Sequence, residues 1–306
     1  MAWWVNNLGP LAGAPAALTA AFFWAIAVNV YGRVGQHVRP LEMNLFKGVI
    51  AVVLLTATLL ATGKLPTSVA VRPLVLLIVS GAVGIGFGDT MLFHALERLG
   101  ARRTLLFMLL APPLSALIAH AGLDERLGLG AWLGITVTVG GVGWVVTERS
   151  ARGPEHPEHL WSGIAFGAVS GLAQAVGAVL SRKVLVETEI SPLASALVRL
   201  AACTVFVAIW LLASRRSLRG SFAPIWTKRL WPVFFFAACI GTYLGIWLQQ
   251  VAFKLTATGI AQTLLSTSPL FGLLIAVWRR EQVSARAVLG ALIALGGIAL
   301  LFRLAG

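Results

Sequence analysis

The chain has 306 residues, of which 58% are hydrophobic and 11% charged, and its mean hydropathy is +0.88. Soluble domains carry about 25% charged residues, so this composition excludes a large soluble core and describes a protein that lives in a bilayer. The formal net charge of +13 would point to nucleic acid in a soluble chain, but here Lys and Arg sit mostly in short loops between apolar runs. With no nucleic-acid-binding motif beside them, membrane lipids are the expected partner.

The N-terminal MAWWVNNLGP lacks the basic stretch of a cleavable signal peptide. Ten apolar runs follow, at about 12–33, 41–62, 72–95, 102–121, 129–147, 161–184, 192–213, 230–253, 257–278 and 286–304. Each is close to the roughly 20 apolar residues that a helix needs to cross the bilayer core. None shows the two-residue alternation of a barrel strand, so backbone hydrogen bonding in lipid requires helices. The sequence therefore predicts an all-α integral membrane protein with ten transmembrane helices.

Polar groups inside these runs are the candidates for function. The first run holds Trp24 and Asn29 and ends at Arg33; the second holds Lys47. The third contains Asp89 and, five residues on, His94, in GIGFGDTMLFHAL. An acid in hydrocarbon is costly, so Asp89 should face protein or a water-filled cavity. There it could exchange a proton or bind a cationic cargo; the structural alternative is a hydrogen bond to a neighbouring helix or a salt bridge to Lys47. His94 reads equally as a proton relay or a structural histidine. Pro112-Pro113 in the fourth run and Pro269 in the ninth remove backbone hydrogen bonds and mark kinks or hinges. Glu148–Leu160 and Ser214–Arg229 are the longest polar stretches. The first contains His156 and His159, a pair too isolated to read as a metal site.

In the second half, Gly163, Gly167 and Gly171 form a small-residue stripe that allows close helix approach, read as packing within one protomer. Gln174 lies in the same run. Arg199 sits one to two turns into the seventh, as Lys47 does in the second. Together they could attract an anion, but their nearness to run ends favours snorkelling to the interface or binding the C-terminus of a packed neighbouring helix. Tyr243, Trp247, Gln249 and Gln250 in the eighth run, with Gln262 and Ser266 in the ninth, offer hydrogen bonds and stacking for a polar cargo. Such residues also serve as glue between helices, so about half are expected to line a cavity. Most other tryptophans, including Trp3, Trp4, Trp132, Trp161, Trp226, Trp231 and Trp278, lie near run ends as interfacial anchors. Cys203 and Cys239 suggest neither disulfide nor metal.

The second half repeats the first. ARRTLLFMLLAPPLSALIAHAGLDERLGLGAWLGITVTVGG from Ala101 aligns without a gap on ATGIAQTLLSTSPLFGLLIAVWRREQVSARAVLGALIALGG from Ala257. Pro113 falls on Pro269, Glu125 on Glu281, Gly134 on Gly290, and Gly140-Gly141 on Gly296-Gly297. With small offsets, Gly84 and Gly88 match Gly241 and Gly245, Lys47 matches Arg199, and Arg33 matches Arg182. Asp89 falls on Ile246, which breaks the symmetry. Five runs per repeat, an odd number, make the second copy cross the membrane in the opposite sense. This predicts two inverted five-helix repeats, 1–147 and 161–306, joined by a linker at 148–160, around a central cavity.

The ordered, duplicated features resemble the drug/metabolite transporter superfamily, in its EamA-type ten-helix branch. They are the small-residue third run ending in Phe93-x-Ala95-Leu96, then Ala101, Pro113-Leu114, Glu125 and Gly134…Gly140-Gly141. The second set is Ala252, Ala257, Pro269-Leu270, Glu281 and Gly290…Gly296-Gly297. The resemblance covers nearly the whole chain. It implies a transporter of amino acids, other metabolites or drugs, with a central cavity and both termini in the cytoplasm. The loop charges oppose that orientation, because Arg102-Arg103, Arg215, Arg216 and Arg219 would then face outward, against the positive-inside rule; the orientation stays open.

The expected function is thus a secondary transporter of small polar metabolites, first amino acids, acting as an exporter by alternating access in the cell's inner membrane. No GxxxxGK[ST] motif for ATP is present, no cofactor is implied, and protons are the candidate coupling ion through Asp89. Rival readings are a membrane-embedded enzyme, a non-transporting scaffold and a channel.

Overall fold

The computed structural model describes residues 12–35, 37–63, 70–148, 160–214, 230–278 and 284–304. The first repeat contains α1 (Ala14–Val34), α2 (Pro40–Thr62), α3 (Val71–Ser80), α4 (Gly88–Met108), α5 (Ala111–Leu123) and α6 (Leu129–Glu148). The second contains α7 (Leu160–Glu187), α8 (Pro192–Ala213), α9 (Trp231–Ala237), α10 (Gly245–Leu255), α11 (Thr258–Leu265), α12 (Ser268–Trp278) and α13 (Ala285–Leu304). Local sequence sets the ends. Pro40 and Pro192 open α2 and α8 after extended residues Arg39 and Ser191, where the missing proline N–H costs nothing. Gly63 ends α2 in the left-handed region at φ 63°, a conformation glycine adopts without steric cost.

Eight helical runs among the described residues are long and apolar enough to cross a bilayer, and Leu129–Val145 is a shorter apolar one. The expected fourth span is not among them, so length and hydropathy of the described helices do not reach the count of ten. The charged residues Glu97 and Arg98 suggest a loop after the third span, yet α4 continues through them to Met108. Glu, Arg and Leu all support a helix, so the chain breaks later, at Leu109–Leu110, where Pro112 and Pro113 start α5. The second repeat breaks at the matching place. Ser266 and Thr267 separate α11 from α12, and their hydroxyls donate to the carbonyls of Thr263 and Leu264 at 2.8 and 2.6 Å. The prolines therefore begin new helices rather than kink continuous ones.

The repeats interlock. Helix α2 packs on α8 and α6 on α13, each helix meeting its own counterpart. Helix α7 packs on α4, while α1 packs on α10, so each half builds part of the other's wall. The glycine stripe of α7 faces inward: Gly163 meets Leu99, and Gly167 and Gly171 meet Phe107. In the paired glycines at the α6–α13 crossing, one member of each pair does the packing. A methyl on Gly141 would run into the Ala294 backbone, and one on Gly297 into the Thr138 backbone, whereas Gly140 and Gly296 have open space. Gly141→Leu or Gly297→Leu should destabilise the protein by about 1–3 kcal/mol, because a neighbouring backbone cannot swing aside. Gly140→Ala and Gly296→Ala should be neutral, or stabilising by up to about 1 kcal/mol through helix propensity. Thermal melting of the purified variants in detergent separates the two classes.

Candidate functional site

Helices α3 and α4 are joined by a π-helical segment, Gly81–Phe87, and α9 and α10 by another, Ala238–Leu244. Gly84 falls on Gly241 in the duplicated sequence, so the two wide turns occupy equivalent positions. Widening the helix frees carbonyls from the usual ladder, and such segments are common at functional sites. Asn44 of α2 donates its amide to Ile85 and Gly86 carbonyls at 3.3 and 3.2 Å. Trp24 of α1 donates its indole N–H to the Gly241 carbonyl at 2.8 Å. Glycine also lets neighbours come close: Gly84 lies against Gly177, and Gly81 against the Arg199 backbone.

Between these segments lies a cavity of about 190 Å³, walled by α1, α2, α4, α5, α7, α10, α11 and α12 and both π segments. Much of the wall is apolar, with Val28, Leu92, Phe93, Ile246 and Leu265. Asp89 and its sequence counterpart Ile246 both face it, so the broken symmetry falls on the cavity itself. Asp89 forms an ion pair with Lys47, and its other oxygen accepts from the Gln174 amide at 2.8 Å. Lys47 also lies over the rings of Phe93 and Tyr31, at 5.2 and 5.9 Å from their centroids. Carboxylate, ammonium and amide thus meet at one point where α2, α4 and α7 converge, and the aromatic faces help hold the buried cation.

The sequence-selected residues separate into two groups. Trp24, Lys47, Asp89, Gln174, Gln249, Gln262, Ser266 and Pro269 line the cavity. Others face elsewhere. Asn29 is exposed and bonds the Ala25 carbonyl at 2.7 Å. His94 lies beside Phe166 and 3.5 Å from Glu97. The Tyr243 hydroxyl shares a 2.8 Å hydrogen bond with Thr58, and its ring lies by Trp247. Gln250 accepts from Ser181 and Ser195, tying α10 to α7 and α8. At the first proline pair it is Pro112, not Pro113, that reaches the wall. Trp3, Trp4, Trp226, His156, His159 and Glu281 lie outside the described residues.

Snorkelling is overturned for both basic residues. Lys47 is 6% exposed and Arg199 is 1% exposed. Nearness to a helix end does not place a residue at the interface when the helix end is itself covered by neighbours, as α2 and α8 are by each other and by the π segments. Arg199 stands behind the cavity wall and donates to the Gln249 side-chain oxygen at 3.4 Å. Glu42, in the first turn of α2, is a further acid in the interior and at 2% exposed is more deeply covered than Asp89. Sequence reasoning passed over Tyr31 and Thr242, which share a 2.9 Å hydrogen bond across the cavity wall. Tyr31 lies seven residues after Trp24 and Thr242 seven before Gln249, two helical turns in each case, and that shared face was the available signal.

Away from the cavity, Arg182 donates to Glu125 at 2.7 Å and to the carbonyls of Phe253 and Lys254. Glu125 in turn accepts from the Thr258 N–H at 2.8 Å. One ion pair thereby caps the end of α10 and the start of α11 and links them to the turn between α5 and α6. Among the described residues no group of three His, Cys, Asp or Glu is placed to hold a metal ion.

The sequence matches the EamA-like transporter family twice, over residues 11–147 and 161–303. A comparison with curated proteins finds no match. Among chains of known structure, one described as "Crystal structure of protein" superposes with a TM-score of 0.74 over 97% of this chain and 99% of its own, at 18% identity. At that identity the likeness speaks for the fold.

Proposed function

This chain belongs to the EamA-like transporter family, and we propose that it works there as a secondary exporter of small polar metabolites, amino acids foremost, in the cell's inner membrane. The observation that carries this reading is the cavity built from both repeats, in which Lys47, Asp89 and Gln174 meet inside an otherwise largely apolar wall. A polar group inside the bilayer is expensive unless it has work to do or a partner. Here the polar groups are gathered around a space that a small molecule can enter. The matching helix breaks before Pro112 and Pro269 and the matching π segments support alternating access, because each repeat then has the same flexible points for exchanging conformations. Asp89 is the group that can take up a proton or meet a cargo ammonium.

Metabolite profiling of the medium tests the proposal. Cells expressing the protein should release a small set of polar compounds that vector controls retain. Gln262→Leu changes a side chain that lines the cavity and forms no hydrogen bond to the described residues. It should therefore reach wild-type membrane levels yet lower release of that set by about tenfold, the worth of one hydrogen bond to a cargo group. A medium unchanged by expression would overturn the exporter reading.

A further inference from the structure

The charged groups at and behind the cavity wall bear on what charge the cargo of such a transporter carries. Asp89 is satisfied by Lys47 and Gln174. Arg199, at the position equivalent to Lys47, has no acid of its own among the described residues. Its guanidinium keeps one long hydrogen bond, 3.4 Å to the Gln249 oxygen, and its Nε has no partner. Arg199 therefore sits in the interior without an ion pair to any described residue, and a buried guanidinium remains positive at any physiological pH. Removing a charge from water without a counter-charge is among the costliest arrangements a protein keeps.

One side chain that Arg199 contacts faces the cavity. Donation from Arg199 occupies the Gln249 oxygen, which leaves the Gln249 NH₂ as the free end of an amide that lines the cavity. Gln262, 6% exposed, lines the cavity as well, and its side chain makes no hydrogen bond among the described residues. The cavity wall thus offers two amide donors, one of them polarised by the cation behind it, to a negatively charged oxygen.

Building on the transporter reading, we propose that the cargo bears a carboxylate, bound by the Gln249 and Gln262 amides and compensated by Arg199. The carboxylate supplies the counter-charge that Arg199 lacks, whereas a phosphate dianion carries twice that charge and a cargo without a carboxylate would leave Arg199 as it is.

Thermal melting of the purified protein tests this with the twenty standard amino acids, each beside its carboxamide. At least one free acid should raise the melting temperature, and its amide should not. Arg199→Met keeps the length and apolar bulk of the side chain without the charge. It should melt at or above the wild-type temperature when empty, and its affinity for the acid should fall about 10- to 100-fold. Gln262→Leu should weaken the acid as well, with no change in the empty protein. Equal stabilisation by acid and amide, no stabilisation by any acid, or an empty Arg199→Met protein that melts lower while binding the acid normally would each overturn the proposal. Release of a compound without a carboxylate in the profiling experiment would overturn it too, while leaving the transporter reading in place.

Discussion

Replacing Asp89 with Asn should both destabilise the protein and stop transport, and a second substitution should separate the two effects. Asp89→Asn leaves Lys47 buried between aromatic rings with no counter-charge. Removing one partner of a buried pair costs about 3–5 kcal/mol, mostly the burden of the charge left behind. Asp89→Asn with Lys47→Met removes that burden and keeps the volume filled, so most of the lost stability should return. Transport should not return, because the double variant has neither carboxylate nor ammonium at the cavity. Melting temperatures and release per unit of membrane protein give the comparison. If the double variant transports at the wild-type rate, the pair is a structural tie and no more.

The Arg182–Glu125 pair should be nearly as costly to break, for a different reason. Arg182→Met removes the cap from the last carbonyls of α10 and strands Glu125 on the Thr258 N–H. The pair is about one-seventh exposed, so the loss should be somewhat below that of a fully buried pair, about 2–4 kcal/mol. Arg182→Lys should recover little, since an ammonium cannot span the Glu125 oxygen and two carbonyls as the guanidinium fork does. Arg33, the counterpart of Arg182 in the first repeat, is exposed, and Arg33→Met should change stability by no more than about 0.5 kcal/mol. Equal losses at the two positions would show that the cap has no special weight.

The architecture was legible in the sequence because its markers are covalent. Pro113 and Pro269 lack a donor in any environment, and the duplicated glycines announce close packing before any partner is known. The π segments were not legible. Hydropathy along GAVGIGF and ACIGTYL is the same whether the backbone bonds four residues back or five. The faces of the polar residues were hidden for a related reason. A helix flanked by lipid on one side and apolar protein on the other has little contrast between its faces, so Gln249 in the wall and Gln250 in the α7–α8 junction look alike in sequence. Lys47 and Arg199 are buried although both lie near helix ends, because nearness to a helix end is not nearness to water. What decides their burial is the α2–α8 packing and the glycines of the first π segment, which only the assembled fold brings together.

Counterflow in liposomes tests the central claim most directly. Purified protein is reconstituted without ATP, the vesicles are loaded with a compound that expressing cells release, and uptake of the labelled compound is followed. A cavity alternately open to the two sides predicts saturable uptake, accelerated by the unlabelled compound inside and absent with Asp89→Asn and Lys47→Met combined. Uptake that rises linearly with concentration, and that ignores what the vesicles contain, would contradict alternating access and make the protein a channel.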